Sequence, residues 1–251
     1  MNMLKEERHK FILNEVELHN RVLLTDIAEQ LGVSIDTIRR DVKELDAEEQ
    51  LKKVHGGAIA LGFTNYATTN KNIYAQEDKI IIAKKALSLI SSGSTILIHG
   101  GTTCLELAKA IPNKLELTCF TTSLAVAMEL LTKKGVDVLF IGGRLSKESQ
   151  LAIGASAIHQ LSEITLDYSF IGTGYVAVDY GLTEFDLESV QVKKAIIKAS
   201  KKTVLLLISE KLNSKHRYKT CEINAINTMI TEIDPKHTLL DNFRKQDIRL
   251  L

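Results

Sequence analysis

The stretch Leu24–Leu45, LTDIAEQLGVSIDTIRRDVKEL, decides the fold of the N-terminal part of the chain. Thr25 followed by Asp26 reads as a hydroxyl N-cap, and Ile27, Ala28 and Leu31 then fall on one helical face. Gly32 and Val33 end this short helix, because Gly after a last apolar residue supplies the positive φ of a tight turn. Ser34 caps a second helix, in which Ile35, Ile38, Val42 and Leu45 recur at three and four residues and form one stripe for burial. Arg40 points the opposite way, flanked by Asp36 and Lys43, with Thr37 and Arg39 to its sides. Helix, Gly turn and helix, with cations on the outer face of the second, is the pattern of a helix-turn-helix, whose second helix lies in the DNA major groove. A plain helical hairpin with a solvated charged face is the alternative. The Gly position, the capping Ser and the outward Arg pair all agree against it.

SIDTIRRDVKEL, Ser34–Leu45, resembles the recognition helix of the DeoR family of bacterial transcription regulators. Directly after it Leu51–Ala58, LKKVHGGA, is similar to that family's wing hairpin, with Lys52, Lys53 and His55 basic and Gly56-Gly57 at the turn. The resemblance implies double-stranded operator DNA as a partner, held by Ser34, Asp36, Thr37, Arg39, Arg40, Lys43, Lys52, Lys53 and His55. Arg40 and Thr37 are the candidates for bases, Arg39, Lys43, Lys52 and Lys53 for phosphates.

The formal net charge of +1 does not advertise nucleic-acid binding, and residues 1–57 carry nine Lys or Arg against twelve Asp or Glu, a balance of −3. The cations must therefore act by position, giving a few phosphate contacts and a modest salt slope. No apolar run is long enough to span a bilayer and no charged-then-apolar leader opens the chain, so the expectation is a cytoplasmic protein without membrane contact. Cys104, Cys119 and Cys221 lack paired spacing, which argues against a disulfide framework and a zinc site. No metal or cofactor is expected.

Leu4–Leu18 reads as a first helix with Ile12 and Val16 inward, and Arg21–Leu24 as an extended piece pairing with the wing. The expected organisation is a winged helix-turn-helix over residues 1–57, a linker over 58–76 and an α/β domain over 77–251. The linker carries Phe63, Tyr66 and Tyr74 without any sustained period, and an ordered arm on a neighbouring subunit is its alternative. From Lys79–Ile90 onward helical patterns alternate with short apolar runs, among them Thr95–Ile98, Leu115–Phe120, Val136–Ile141, Tyr168–Ile171 and Thr203–Ile208. Such strands predict an open, mostly parallel sheet with helices on both faces.

Ligands of such sheets bind beyond the carboxyl ends of the strands. There stand His99-Gly100-Gly101-Thr102-Thr103, Thr121-Thr122-Ser123, Gly142-Gly143-Arg144, Gly172-Thr173-Gly174 and Ser209-Glu210-Lys211, together a polar rim for a small phosphorylated ligand. The first is equally a tight turn with a Thr cap, and Lys193 is either a reach into the rim or a solvated lysine beside Lys194. These loops resemble the DeoR effector domain, which is related in fold to ribose-phosphate isomerases and senses phosphorylated sugars. On that resemblance Lys79, Gly101, Thr102, Thr103, Gly142-Gly143, Gly181-Leu182-Thr183, Asp186, Glu188, Lys193, Ser209 and Lys211 carry over.

Where the family commonly has Asp, this chain has His99, Gly174 and Ile208, which predicts a more cationic rim and a ligand with more charge or fewer hydroxyls than a hexose monophosphate. The resemblance implies a repressor of carbohydrate metabolism genes, a homodimer or homotetramer, relieved by a phosphorylated effector. A large domain that only oligomerises is one alternative. A sugar-phosphate isomerase is another, weakened because only Glu184, Glu210 and His99 remain as bases.

Overall fold

The computed structural model describes residues 3–61, 74–147 and 149–251, and the chain divides into two compact units, Met1–Tyr74 and Ala75–Leu251. Most of the stretch read as a linker, with Phe63 and Tyr66, lies outside the described residues.

The first unit runs α1 (Lys5–His19), β1 (Arg21–Leu23), α2 (Leu24–Leu31), α3 (Ile35–Ala47), β2 (Lys52–Val54) and β3 (Gly57–Ile59). The strands form an antiparallel sheet in the order β1-β3-β2, so the wing hairpin closes on the extended piece before α2. Both glycines of the wing are required for different reasons. Gly56 turns at φ +71°, whereas a Cβ on Gly57 would stand 2.2 Å from the Val22 carbonyl oxygen. Ile12, Val16, Val22, Leu24, Ile27, Ile38, Val42, Leu45 and Leu51 make the core.

Two details differ from the sequence reading. The entry to α2 is not capped by Thr25, whose hydroxyl donates to Asp26 at 3.0 Å; Leu23 stands at the N-cap, two residues earlier, and the Leu24 N–H donates to Gly56 O in the wing at 3.0 Å. Ile35 stays exposed at the first helical position, and Asp41 takes a place in the buried stripe instead. Asp41 is tolerated there because Arg8 of α1 grips it through Nε at 2.8 Å and Nη2 at 3.1 Å, with His9 Nε2 at 3.3 Å.

The second unit is built on seven parallel strands. Its elements are α4 (Gln76–Leu87), β4 (Thr95–Ile98), α5 (Thr102–Ala110), β5 (Leu117–Thr121), α6 (Leu124–Leu130), β6 (Val136–Phe140), β7 (Arg144–Leu145), β8 (Ala152–Ile153), α7 (Ala155–Ser162) and β9 (Leu166–Ile171). There follow β10 (Tyr175–Ala177), β11 (Gly181–Glu184), α8 (Leu187–Ala199), β12 (Ser200–Leu206), β13 (Tyr218–Cys221), β14 (Thr228–Ile230), α9 (Asp241–Arg244) and β15 (Arg249–Leu250). The main sheet has the order β15-β14-β12-β9-β4-β5-β6 with every pair parallel. Helices α4, α5 and α6 pack in one layer and α7 with α8 in another.

Strand β4 lies between β5 and β9, so the sheet grows one way from β4 and then the other. That reversal opens a crevice at the carboxyl ends of β4 and β9, the usual ligand position in such sheets. Unforeseen in the sequence reading is a small antiparallel sheet, β10-β11-β13, rising past the end of β9. Its hairpin pairs Tyr175 with Thr183 and so returns Glu184 to the crevice.

Replacing Asp41 by Ala should leave the partly buried Arg8 guanidinium without its bidentate acceptor and cost about 2 kcal/mol. Urea unfolding followed by circular dichroism checks this, and Asp41→Ala combined with Arg8→Ala should cost less than the two single changes added.

Candidate functional site

In the first unit the second helix of the helix-turn-helix is held by its cap. Ser34 Oγ accepts the Thr37 N–H at 3.1 Å and lies 2.9 Å from Thr37 Oγ1, which draws both residues into the start of α3. Arg39, Arg40 and Lys43 are exposed on the face away from Ile38 and Val42, and Lys52, Lys53 and His55 are exposed on the wing. Arg39 pairs with Asp36, so of the two outward arginines that one begins with a carboxylate on its guanidinium. The Lys53 N–H donates to Asp46 at 2.9 Å and ties β2 to the end of α3. One recognition helix, one basic wing and an N-terminal helix behind them form the surface of a winged helix-turn-helix.

In the second unit the crevice centres on a buried charge cluster. Lys193 of α8 and Glu184 at the end of β11 are each less than a tenth exposed and form an ion pair. Lys193 Nζ also donates to Gly172 O at 2.8 Å, and Glu184 Oε1 accepts the Thr173 hydroxyl at 3.2 Å and the Gly174 N–H at 3.1 Å. Lys211, half-buried, donates from Nζ to Thr173 O at 3.2 Å. Desolvation, opposed by Glu184 and reinforced by Lys193, lowers the Lys211 ammonium to about 8. Both lysines therefore gather on the Gly172–Gly174 loop, and Lys193 is not the solvated residue its neighbour Lys194 is.

Facing them is the loop after β4. Burial, then the charge of Lys193, pushes His99 down to about 3, so the imidazole is neutral. Its Nδ1 lies 2.8 Å from Thr122 Oγ1, while its buried Nε2 has no hydrogen-bond partner among the described residues. Gly101 turns at φ +107° into α5, whose start carries no side-chain cap, and the space where a Cβ at 101 would sit is open. The first-turn N–H groups of α5 thus remain available to an anion. Cys104 lies in the same turn, its thiol pushed up to about 12 by burial and hence protonated.

The remaining expected residues are placed as follows. Thr121, Thr122 and Ser123 are buried and engaged internally: Thr121 Oγ1 accepts the Ser123 N–H at 3.1 Å, and Ser123 Oγ accepts the Val126 N–H at 3.4 Å. Leu151 covers Gly100, where a Cβ would come within 2.2 Å of its methyl group. Thr102 is buried, Thr103 half-buried, and Lys79 is buried in the first turn of α4. Gly143 packs under the Ile153 carbonyl, and Arg144 is exposed and paired with Glu188. Asp186 caps α8 by accepting the Ser189 N–H at 2.9 Å.

Besides Glu184, which the sequence reading counted, the rim holds a second acid that it did not, Glu232. Glu184 arrives through the β10-β11 hairpin, and Glu232 beyond β14 accepts the Ser209 N–H at 2.9 Å beside Ile208. Glu232 and Cys104 are the residues at the rim that sequence reasoning passed over, and it did not read the pairing of Glu184 with Lys193. The available signal for that pairing was a carboxylate and a lysine nine residues apart, each set among residues of buried strand and helix faces.

The model of the DeoR C-terminal sensor domain matches residues 74–233, and that of the DeoR-like helix-turn-helix domain matches residues 8–62. The chain belongs to the DeoR family. It is 32% identical to an uncharacterized HTH-type transcriptional regulator of Haemophilus influenzae over 92% of this chain and 90% of the other. It is 31% identical to the HTH-type transcriptional repressor GlcR of Bacillus subtilis over 99% and 96%, and 28% identical to the glycerol-3-phosphate regulon repressor of Escherichia coli over 99% of each. Among solved structures, ribose 5-phosphate isomerase A of Methanocaldococcus jannaschii aligns over 53% of each chain at 19% identity and a TM-score of 0.40. Membership makes this chain a helix-turn-helix transcription regulator that binds DNA, and these relatives are named as regulators, not enzymes. No helix among the described residues is long and apolar enough to cross a membrane.

Arg40→Ala should relax sequence preference by about 1–3 kcal/mol at one position while leaving random-DNA binding nearly intact. Lys52→Ala should weaken all sequences alike and flatten the salt dependence by about one phosphate contact. Fluorescence anisotropy on operator and scrambled duplexes at several salt concentrations separates the two.

A second expectation concerns acid. The folded pKa of His99 lies below its usual 6.5, so its contribution to stability is full above that pH and is lost as pH falls toward the folded value. Between about pH 6.5 and 5 this slope approaches about 1.4 kcal/mol per pH unit, and His99→Gln should remove it from urea-melt profiles.

Proposed function

We propose that this regulator is a cytoplasmic repressor of carbohydrate metabolism genes, and that its operator affinity falls when a phosphorylated sugar or related anionic metabolite enters the crevice of the second unit. One observation carries the reading: two lysines, an uncapped helix start and a buried unpartnered His99 Nε2 converge at the reversal point of the sheet. The α5 start and Lys211 suit a phosphate or carboxylate, which needs several donors at once. Neutral His99 suits a single hydroxyl or carbonyl of the ligand, since Nδ1 is already bound to Thr122. Glu184 is spent on Lys193 and on the Gly172–Gly174 loop, so it holds the loop's shape, and of the two lysines Lys211 is the one with no ion-paired carboxylate among the described residues. The E. coli relative's name includes a small phosphorylated polyol, which is in keeping with this chemistry.

A metabolite alters DNA binding only if it prefers one of two arrangements that differ in operator affinity. The test is a thermal-shift panel of phosphorylated sugars, sugar acids and bis-phosphates on the full chain, followed by operator binding with each hit. A ligand at a hundredfold its Kd should add about 2.7 kcal/mol, a shift of several degrees. Lys211→Met should abolish the shift and the release of operator, leaving operator affinity without metabolite unchanged. A full panel without any shift defeats the proposal.

A further inference from the structure

Ile35 occupies a position where the fold has little use for an aliphatic side chain. It is the first residue of α3 and keeps 41% of its surface exposed. Among the described residues of the first unit the other exposed large apolar side chains are Met3 and Leu4, which precede α1. At a helix start the partial positive charge favours an acid, which Asp36 supplies at the next position, and the fixed φ of Pro is also favoured. A β-branched residue answers neither preference, and its helix propensity is below that of the straight-chain residues. The buried face of α3 is meanwhile made by Ile38, Asp41, Val42 and Leu45.

The place of Ile35 on the recognition helix gives it a use outside the fold. Side chains of an α-helix lean toward its N-terminus, so one at the first position projects past the helix start. That end of a recognition helix is the one brought to the base edges in the major groove. The neighbouring polar groups are engaged with one another. The Thr37 hydroxyl lies 2.9 Å from Ser34 Oγ, and Asp36 is paired with Arg39, the i+4 neighbour of Ile35 on the helix surface. Ile35 is thus the exposed apolar group in the leading turn of α3. Among the four bases an aliphatic group in the major groove has one complementary feature to meet, the C5 methyl of thymine. Every other edge there is a donor or acceptor that Ile35 would strip of water without replacing the lost bond.

We propose that Ile35 reads a thymine of the operator by packing against its 5-methyl group. Covering one methyl group in this way is worth about a fourfold change in affinity. Ile35 then selects by apolar area, at a base position distinct from any that Arg40 selects by hydrogen bonds. The inference rests on DNA binding by the helix-turn-helix and is independent of any metabolite in the crevice.

Duplexes selected by the full chain from a random-sequence library test it. Each thymine of the selected site is replaced in turn by deoxyuridine, which removes the methyl group and keeps the base pair, and binding is followed by fluorescence anisotropy. At one thymine the wild type should lose about fourfold in affinity. Ile35→Ala should bind the thymine and deoxyuridine duplexes alike at that position, with an unaltered circular-dichroism melt. Ile35→Val, shorter by one methylene, should show an intermediate loss, and it decides the matter if the alanine variant melts early. A site in which no thymine methyl matters to the wild type, or methyl effects that all persist undiminished in the folded variants, would overturn the proposal.

Discussion

The ion pair between Lys193 and Glu184 is the contact on which the second unit's crevice depends. Two opposite charges are taken out of water together, and each has its remaining capacity satisfied by the loop after β9: Lys193 on the Gly172 carbonyl, Glu184 on the Thr173 hydroxyl and the Gly174 N–H. Removing either partner would leave the other buried and uncompensated, which is far more costly than never having placed the pair there. The pair thereby fixes a backbone turn at the reversal point of the sheet. Lys211 is then anchored on that same turn and His99 faces it across the crevice under the field of Lys193.

Burial of polar groups has a different purpose in the first unit. Asp41 interrupts the apolar stripe of α3, yet it is held by Arg8 and His9 of α1 and so orients the recognition helix against the helix behind it. The wing is set by backbone geometry: Gly57 lets β3 approach Val22, and the Gly56 carbonyl accepts the first N–H of α2. The start of the helix-turn-helix and the turn of the wing are thus one hydrogen-bonded assembly.

Much of this was legible before any coordinates. The spacing of apolar residues, the Gly32 turn and the Ser34 cap are local signals, since helices report their buried face at intervals of three and four and their ends by cap chemistry. The alternating pattern beyond Lys79 likewise announced a parallel sheet, because strands buried on both faces must be apolar throughout. The polar loops at strand ends were legible for the same reason, as they interrupt that apolar pattern. Lys193 stood out, but its burial could not be read.

The sequence by itself determined the family, the winged helix-turn-helix, the α/β sheet and the positions of the glycine and hydroxyl loops, all of which rest on short-range periodicity and turn chemistry. Only the tertiary structure decided which of those polar residues face the crevice. Thr121, Ser123 and Asp186 are spent on caps, whereas Glu184 comes in from a hairpin and Glu232 from beyond a distant strand end. Ile35 and Asp41 exchanged places for the same reason. Whether a residue is buried depends on which element packs over it and whether that element brings a compensating charge, and no interval along one chain segment encodes its partner on another.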